Sequence, residues 1–192
     1  MEFKAEHISK TYDSHRILTD VSFTVGPGEC LAVTGASGIG KTTLLRILLG
    51  LEQPDTGRIL IDGKPAGRMK AGAVFQENRL VETVDAVENV RMATRGISRD
   101  KAVQELKMLL PEDALAIPAV KLSGGMQRRV AVVRAVLSDA RILIMDEPLS
   151  GLDDGTKTIV TDYIRSRQQD RPWILTVHEF RDLPFAKEYR LV

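Results

Sequence analysis

The segment GASGIGKTTLL, which runs from Gly35 to Leu45, constrains this chain more than any other. It follows the apolar run CLAVT and precedes leucines at helical spacing, so the pattern predicts a glycine-rich turn between a buried strand and a helix. Glycines let successive backbone N–H groups turn inward, and the N-terminus of the helix adds its positive dipole at the same point. The spacing fits G-x-x-x-x-G-K-[ST], which in this context predicts a loop that binds phosphates.

The fixed positions of this loop are Gly35, Gly40, Lys41 and Thr42. We expect Lys41 to reach the terminal phosphates as a point charge and the Thr42 hydroxyl to ligate Mg²⁺. The other positions expected to contact the nucleotide are Ala36, Ser37, Gly38, Ile39 and Thr43. The alternative is a glycine-rich turn that carries an exposed lysine.

Two adjacent carboxylates, Asp146 and Glu147, end the apolar run RILIM. Carboxylates at the end of a buried strand are costly without a cation, so a metal is their natural partner. We expect Asp146 to hold Mg²⁺ through its water shell and Glu147 to polarise a water for attack on the γ-phosphate. Taken alone, the pair is also typical of the acidic start of a helix.

The composition restricts the partners and the cellular compartment of the protein but does not identify its function. The 192 residues include 27 basic and 26 acidic side chains, a net charge of +1 that gives no argument for nucleic acid or for an anionic membrane. Cys30 is the only cysteine of the sequence, which excludes an internal disulfide and fits a reducing, cytosolic compartment. The N-terminal residues lack the apolar core of a secretory signal, and LLRILLGL is too short to span a bilayer.

Periodicity predicts the order of the elements. The first thirty residues alternate as β-strands, and the strands after them alternate with helices, which favours a mainly parallel sheet. The segment from Val84 to Leu115 has a helical period, with Ser98 as an N-cap. A later helix, from Asp154 to about Gln169, is expected to place Ile159, Val160, Tyr163 and Ile164 on one face.

The stretch LSGGMQRRVAVVRAVL distinguishes among nucleotide-binding classes, and no Asn-Lys-x-Asp guanine-reading motif is present. With this stretch, the chain resembles the ATP-binding subunit of an ABC transporter: Leu122, Ser123, Gly124 and Gly125 match the signature loop of that family. A hydroxyl and two glycine N–H groups at a helix N-terminus form a second anion site. The resemblance implies that this site closes on the ATP held by the other subunit. Met126 stands where the family often has glutamine.

Four further positions match the family's motifs, in order along nearly the whole chain. The resemblance implies that Tyr12 stacks on adenine and that Gln76 touches Mg²⁺ and water while linking the nucleotide to a helical lobe. It also implies that Asp153 crosses the subunit interface and that His178 contacts the γ-phosphate and orients Glu147. Taken singly, these residues are also typical of a strand aromatic, a polar strand end and turns.

The resemblance implies an α/β fold: a P-loop NTPase core with a mainly parallel sheet, an N-terminal antiparallel β lobe and an inserted α-helical lobe at about 77–125, all within one domain of 1–192. It implies an ATPase that uses ATP and Mg²⁺ and closes as a head-to-tail dimer, with a second copy or a similar ATPase subunit. Separate integral membrane permease subunits would receive the motion. The protein would then lie in the cytoplasm, peripheral on the inner face of the cell membrane.

The sequence leaves alternatives open for the transported cargo and for the functional class of the protein. VFQENRL resembles the corresponding stretch in importers of nitrate, sulfonate and taurine type, which favours such a cargo. The chain ends soon after His178, so we expect no regulatory C-terminal domain. The competing hypotheses are a soluble ABC-type ATPase with a non-transport role and a binding module that senses ATP without hydrolysing it. No nucleic-acid partner is expected.

Overall fold

Two β-sheets organise this computed structural model, which describes residues 1–67, 69–178 and 180–192. Its strands are β1 (Phe3–Tyr12), β2 (His15–Val25), β3 (Cys30–Thr34), β4 (Thr56–Ile61), β5 (Lys64–Pro65), β6 (Ala71–Val74), β7 (Ile142–Met145), β8 (Trp173–Thr176) and β9 (Lys187–Arg190). Its α-helices are α1 (Lys41–Leu48), α2 (Ala86–Ala93), α3 (Arg99–Lys107), α4 (Gly124–Leu137) and α5 (Asp154–Gln168). Short 3-10 turns occupy Glu112–Ala114, Ala119–Lys121 and Phe180–Asp182.

The first sheet is antiparallel and has the order β2-β1-β4-β5. Phe3, Ala5 and Ile8 of β1 are fully buried and pack with residues of β2 and α1. The pairing of β1 shifts register after Ala5, and there Gly57 of β4 approaches so closely that a Cβ would overlap the backbone of β1. The predicted antiparallel lobe at the N-terminus is confirmed.

The second sheet is parallel and has the order β6-β7-β8-β3-β9. Every residue of β3, β7 and β8 is buried, as expected for central strands that are covered on both faces. The carboxyl ends of parallel strands meet at one edge of the sheet. The segments that follow β3, β6, β7 and β8 therefore converge there, and they include the start of α1 at Lys41, together with Gln76, Asp146 and His178.

The segment between β6 and β7 is helical and contains α2, α3 and α4. These helices begin at the capping side chains Asp85, Ser98 and Ser123, each of which accepts a backbone N–H from the first turn of its helix. The expected cap at Ser98 is confirmed. The predicted extent of this lobe, 77–125 within one domain of 1–192, stays a prediction.

Helix α5 buries only part of its predicted apolar face. Val160, Tyr163 and Ile164 are buried, but the side chain of Ile159 is 55% exposed. The buried arc of the helix also contains Thr161, so its centre is turned away from Ile159 by more than one residue step of 100°. Within the described residues, no helix is both long and apolar enough to cross a membrane.

Candidate nucleotide site

The glycine-rich loop between β3 and α1 has the backbone that its sequence predicts. Gly35, Gly38 and Gly40 all have φ values in the left-handed region, at 148°, 78° and 112°. Gly40 is also the N-cap of α1, and a Cβ there would lie 2.8 Å from Cγ2 of Ile17. Any other residue would be strained in its backbone and crowded against β2.

Lys41 is the first residue of α1, and its ammonium lies over this loop. Its Nζ donates to the carbonyl oxygens of Gly35 at 2.8 Å and Ala36 at 3.1 Å, and the residue is only 6% exposed. A nearly buried cation next to a helix N-terminus concentrates positive potential at one point. The arrangement is suited to the phosphates of a nucleotide.

Asp146 joins the central strands to α1. Its Oδ2 accepts a hydrogen bond from the Thr42 hydroxyl at 2.8 Å, and its Oδ1 accepts one from the Thr176 hydroxyl at 2.6 Å. The residue is 5% exposed. A carboxylate and a hydroxyl in contact are the hard oxygen donors that Mg²⁺ prefers, so Thr42 and Asp146 fit the predicted metal site.

Glu147 holds a strained backbone at the end of β7. Its φ is 49°, in the left-handed region that costs a non-glycine residue about 1–3 kcal/mol. Its N–H donates to the Thr176 hydroxyl at 2.9 Å, which helps to hold that conformation. Its Oε2 lies 3.0 Å from Nε2 of His178, while the two side chains are 16% and 60% exposed. A cavity of about 200 Å³ opens beside both residues.

Gln76 is held by its backbone. It directly follows Phe75 after β6 and is exposed. Its carbonyl oxygen accepts a hydrogen bond from Arg128 of α4 at 2.7 Å. The structure therefore places the Gln76 main chain against α4, and contact of its side chain with Mg²⁺ stays a prediction.

The signature segment lies next to the loop that follows β7. Ser123 caps α4 by accepting the N–H of Met126 at 3.3 Å, and a Cβ on Gly125 would lie 3.3 Å from Leu152. A Cβ on Gly124 would meet nothing within 4 Å. No hydrogen bond between described residues joins Ser123–Gly125 to the phosphate loop, so the structure does not bring the two predicted anion sites of one chain into direct contact.

Asp153 and Tyr12 are two further residues for which the motifs predict contact with the nucleotide or the partner subunit, and both contacts stay predictions. Asp153 caps α5 by accepting the N–H of Thr156 at 3.0 Å and its hydroxyl at 2.6 Å, and these hydrogen bonds lower the pKa of the Asp153 carboxyl. Tyr12 ends β1 and is 40% exposed. A hydrogen bond to Glu52 raises the pKa of the Tyr12 hydroxyl and fixes one end of the ring.

Two residues of the site escaped the sequence reasoning. Thr176 is completely buried and bonds both Asp146 and the N–H of Glu147. Arg128 is 8% exposed and bonds the loop after β6. Each carried a usable signal, because a threonine in the run WILTVH and an arginine in an Ala- and Val-rich helix are polar groups in apolar surroundings, and such groups need partners.

The parallel sheet, the glycine-rich loop and the buried aspartate together define a P-loop NTPase fold. The family model described as "ABC transporter" matches residues 18–150. The chain therefore belongs to the ABC transporter family, and the resemblance inferred from the motifs is confirmed.

Curated proteins similar to this chain are named as ATP-binding proteins of import systems. The Fe(3+) ions import ATP-binding protein FbpC of Agrobacterium fabrum is 40% identical over 176 residues, which cover 85% of this chain and 50% of that protein. The spermidine/putrescine import ATP-binding protein PotA of Protochlamydia amoebophila is 40% identical over 162 residues, 77% of this chain and 43% of that protein. The chain thus spans about half the length of the curated relatives it matches.

Solved structures agree with the fold. The dimeric structure of MJ0796, a bacterial ABC transporter cassette, has a TM-score of 0.86 at 28% identity and covers 98% of this chain and 94% of that one. Its dimeric post-hydrolysis state bound to ADP and Pi has a TM-score of 0.83 at 27% identity, with the same coverage. The predicted α/β cassette fold is confirmed.

Proposed function

We propose that this chain hydrolyses ATP as the motor subunit of a membrane transporter. The observation that carries the proposal is one edge of the parallel sheet, where the phosphate loop with Lys41, the Thr42–Asp146 contact and the Glu147–His178 pair lie together. Membership of the ABC family supports it. So does the likeness to a cassette that was solved with ADP and Pi bound.

Binding would begin at the phosphate loop. Backbone N–H groups from Gly35 to Thr43 and the Lys41 ammonium would hold the β- and γ-phosphates, and Tyr12 would stack on the base. Thr42, Asp146 and Gln76 would hold Mg²⁺, which when bound neutralises charge on the phosphate oxygens. Lys41 already lies between the loop and α1, so little reorganisation would accompany binding.

Hydrolysis would depend on Glu147. Its carboxylate lies beside an open cavity and is held from two sides, by Thr176 through its backbone and by His178 through its side chain. A carboxylate fixed in this way can accept a proton from a water as that water attacks the γ-phosphate. His178 would orient Glu147 and contact the γ-phosphate.

A second subunit would complete the site. Ser123, Gly124 and Gly125 lie at the N-terminus of α4, and among the described residues no hydrogen bond joins them to the phosphate loop of their own chain. We infer that this loop, with Asp153 beside it, meets the ATP of a second copy or of a similar ATPase subunit. The dimeric structures of MJ0796 support this arrangement.

Membrane permease subunits are the proposed receivers of the motion. Val81, Met92 and Val120, on and beside the helical segment, are 45%, 66% and 56% exposed, and we propose that these apolar side chains face the permease. Both curated relatives are named as import ATP-binding proteins, so we propose import and a position on the inner face of the membrane. Their names refer to Fe(3+) and to polyamines and give no support to the predicted nitrate or sulfonate cargo.

The Glu147→Gln variant tests the proposal. Purified wild type should release phosphate from Mg·ATP, and Glu147→Gln should bind ATP, stop hydrolysing it and elute as a dimer with ATP but not with ADP in size-exclusion chromatography. Lys41→Ala is the matched control, and it should neither bind ATP nor dimerise. A wild type that binds ATP and never hydrolyses it would instead identify an ATP-sensing module.

A further inference from the structure

The loop that follows β6, residues 75–79, is fastened to α4 by two arginines. From this contact we propose that Arg128 is a positioning residue for ATP hydrolysis, because it fixes the main chain of Gln76 to the helix that begins at Ser123. The inference rests on the proposed function. It adds a route by which the signature loop of a subunit acts on the metal-binding loop of the same subunit.

The contact of Arg128 is bidentate. Its Nη1 donates to the carbonyl oxygen of Phe75 at 2.5 Å, and its Nη2 donates to that of Gln76 at 2.7 Å. The planar guanidinium fork suits two neighbouring acceptors, and a lysine cannot reproduce this geometry. Arg128 is 8% exposed, so these hydrogen bonds form with little competition from water.

Arg134 extends the same contact along the loop. Its Nη2 donates to the carbonyl oxygen of Asn78 at 2.9 Å, and its Nη1 donates to that of Arg79 at 2.7 Å. Four carbonyl groups of a five-residue loop are thus directed at one helix. The loop has a left-handed residue at Arg79, whose guanidinium lies 3.9 Å from the centre of the Phe75 ring.

Arg128 also lies within electrostatic range of the candidate catalytic carboxylates. Burial lowers the pKa of its guanidinium, and the charges of Asp146 and Glu147 act in the opposite direction. An arginine stays protonated under such conditions, so it is a permanent positive charge behind the site. A neutral replacement would remove that charge and leave two carbonyl groups without their donor.

Helix α4 connects the signature loop, at Ser123, to the loop that follows β6, at Gln76. Ser123 caps its first turn, and Arg128 lies little more than one turn farther along the same helix. A displacement of Ser123 on contact with a second subunit would therefore move the Gln76 backbone through Arg128.

The test compares Arg128→Gln and Arg128→Lys with the matched control Arg171→Gln. Arg171 is a half-buried arginine whose hydrogen bonds, like those of Arg128, go to main-chain carbonyls: those of Val136 at 2.9 Å, Arg167 at 2.5 Å and Gln168 at 3.0 Å, at the C-terminal ends of α4 and α5. Each variant is assayed for Mg·ATP turnover and for thermal unfolding. We expect Arg128→Gln to lower kcat about tenfold or more with KM for ATP changed less than about threefold, and Arg128→Lys to recover part of the loss.

Arg171→Gln should lower the unfolding temperature and leave kcat within about twofold of wild type. A folded Arg128→Gln with the kcat of wild type, or one whose loss matches that of Arg171→Gln, overturns the inference. If Arg128→Gln does not fold, Arg128→Lys decides alone: kcat at least about threefold below wild type at unchanged KM supports the inference, and wild-type kcat overturns it. A wild type without turnover would refute the proposed function itself.

Discussion

Glu105 offers the sharpest test of how the helical segment is held to the core. This carboxylate of α3 is 2% exposed and faces α5. Its Oε2 lies 3.1 Å from Nε of Arg167 and accepts the Tyr163 hydroxyl at 3.1 Å, and its Oε1 lies 2.8 Å from Nζ of Lys101. Three donors on one buried carboxylate satisfy it fully, so the substitution to test is Glu105→Gln.

The loss of unfolding free energy in Glu105→Gln depends on whether each partner of Glu105 can form another hydrogen bond after the substitution. A hydrogen bond to a charged group contributes about 1.5–3 kcal/mol, and glutamine keeps an oxygen for Tyr163. The side chains of Lys101 and Arg167 are 55% and 34% exposed and can turn to water. We therefore expect Glu105→Gln to cost about 2 kcal/mol of unfolding free energy, or about 4–8 °C in Tm. Glu105→Ala also orphans the Tyr163 hydroxyl and should cost about 4 kcal/mol.

The pH dependence gives a second check. Burial raises the pKa of Glu105, but hydrogen bonds from Lys101 and Arg167 together outweigh it and bring the pKa below its ordinary value. A lowered folded-state pKa means that the stabilisation is complete above the unfolded-state pKa of about 4.3 and is lost as the pH falls through the folded-state value. In urea unfolding, the gap between wild type and Glu105→Gln should be constant from about pH 8 to 5 and shrink below about pH 4. Equal stability at pH 7 would refute the reasoning.

Three further predictions concern single residues. Burial raises the pKa of the Cys30 thiol to about 12, so iodoacetamide should label it at pH 7.5 only in urea; labelling of the native protein at the denatured rate would contradict its burial. A Cβ on Gly72 would overlap the Ala135 carbonyl of α4, so Gly72→Ala should lower the unfolding free energy by about 3 kcal/mol, and an unchanged Tm would contradict this contact. Thr176→Val removes the hydroxyl that bonds Asp146 and Glu147, so kcat should fall about tenfold; an unchanged kcat would exclude a positioning role.

Much of the fold could be predicted from local patterns in the sequence. The phosphate loop could be predicted because the glycines that it requires are close together in the sequence. Gly40 shows the requirement, since its φ lies in the left-handed region and a Cβ there would crowd Ile17. The cap at Ser98 and the buried run of β7 are equally local. Ile159, on the predicted apolar face of α5, is exposed because periodicity gives the width of an apolar face, whereas packing against neighbouring elements decides which part of that face is buried.

The supporting residues of the site could not be predicted in the same way, because their partners are distant in sequence. Thr176 meets Asp146 across 30 residues, and Arg128 meets Phe75 across 53. The same holds outside the site, where Arg167 meets Glu105 across 62 residues. A sequence read alone shows that a buried polar group needs a partner and does not show which partner the fold provides. The two carboxylates after an apolar run predicted Asp146 and Glu147, the family resemblance predicted His178, and the parallel sheet explains why the three lie at one edge.

We propose that hydrolysis needs two subunits, with the phosphate loop of one and Ser123 of the other on the same ATP. The most direct measurement is the rate of phosphate release per mole of protein as the protein concentration is raised at saturating Mg·ATP. A site shared between subunits predicts a specific activity that rises with protein concentration toward a plateau. The Ser123→Arg variant should still bind ATP, but its specific activity should stay near zero at every concentration. A specific activity that is constant from the lowest concentration, with a protein that stays monomeric, would contradict the account.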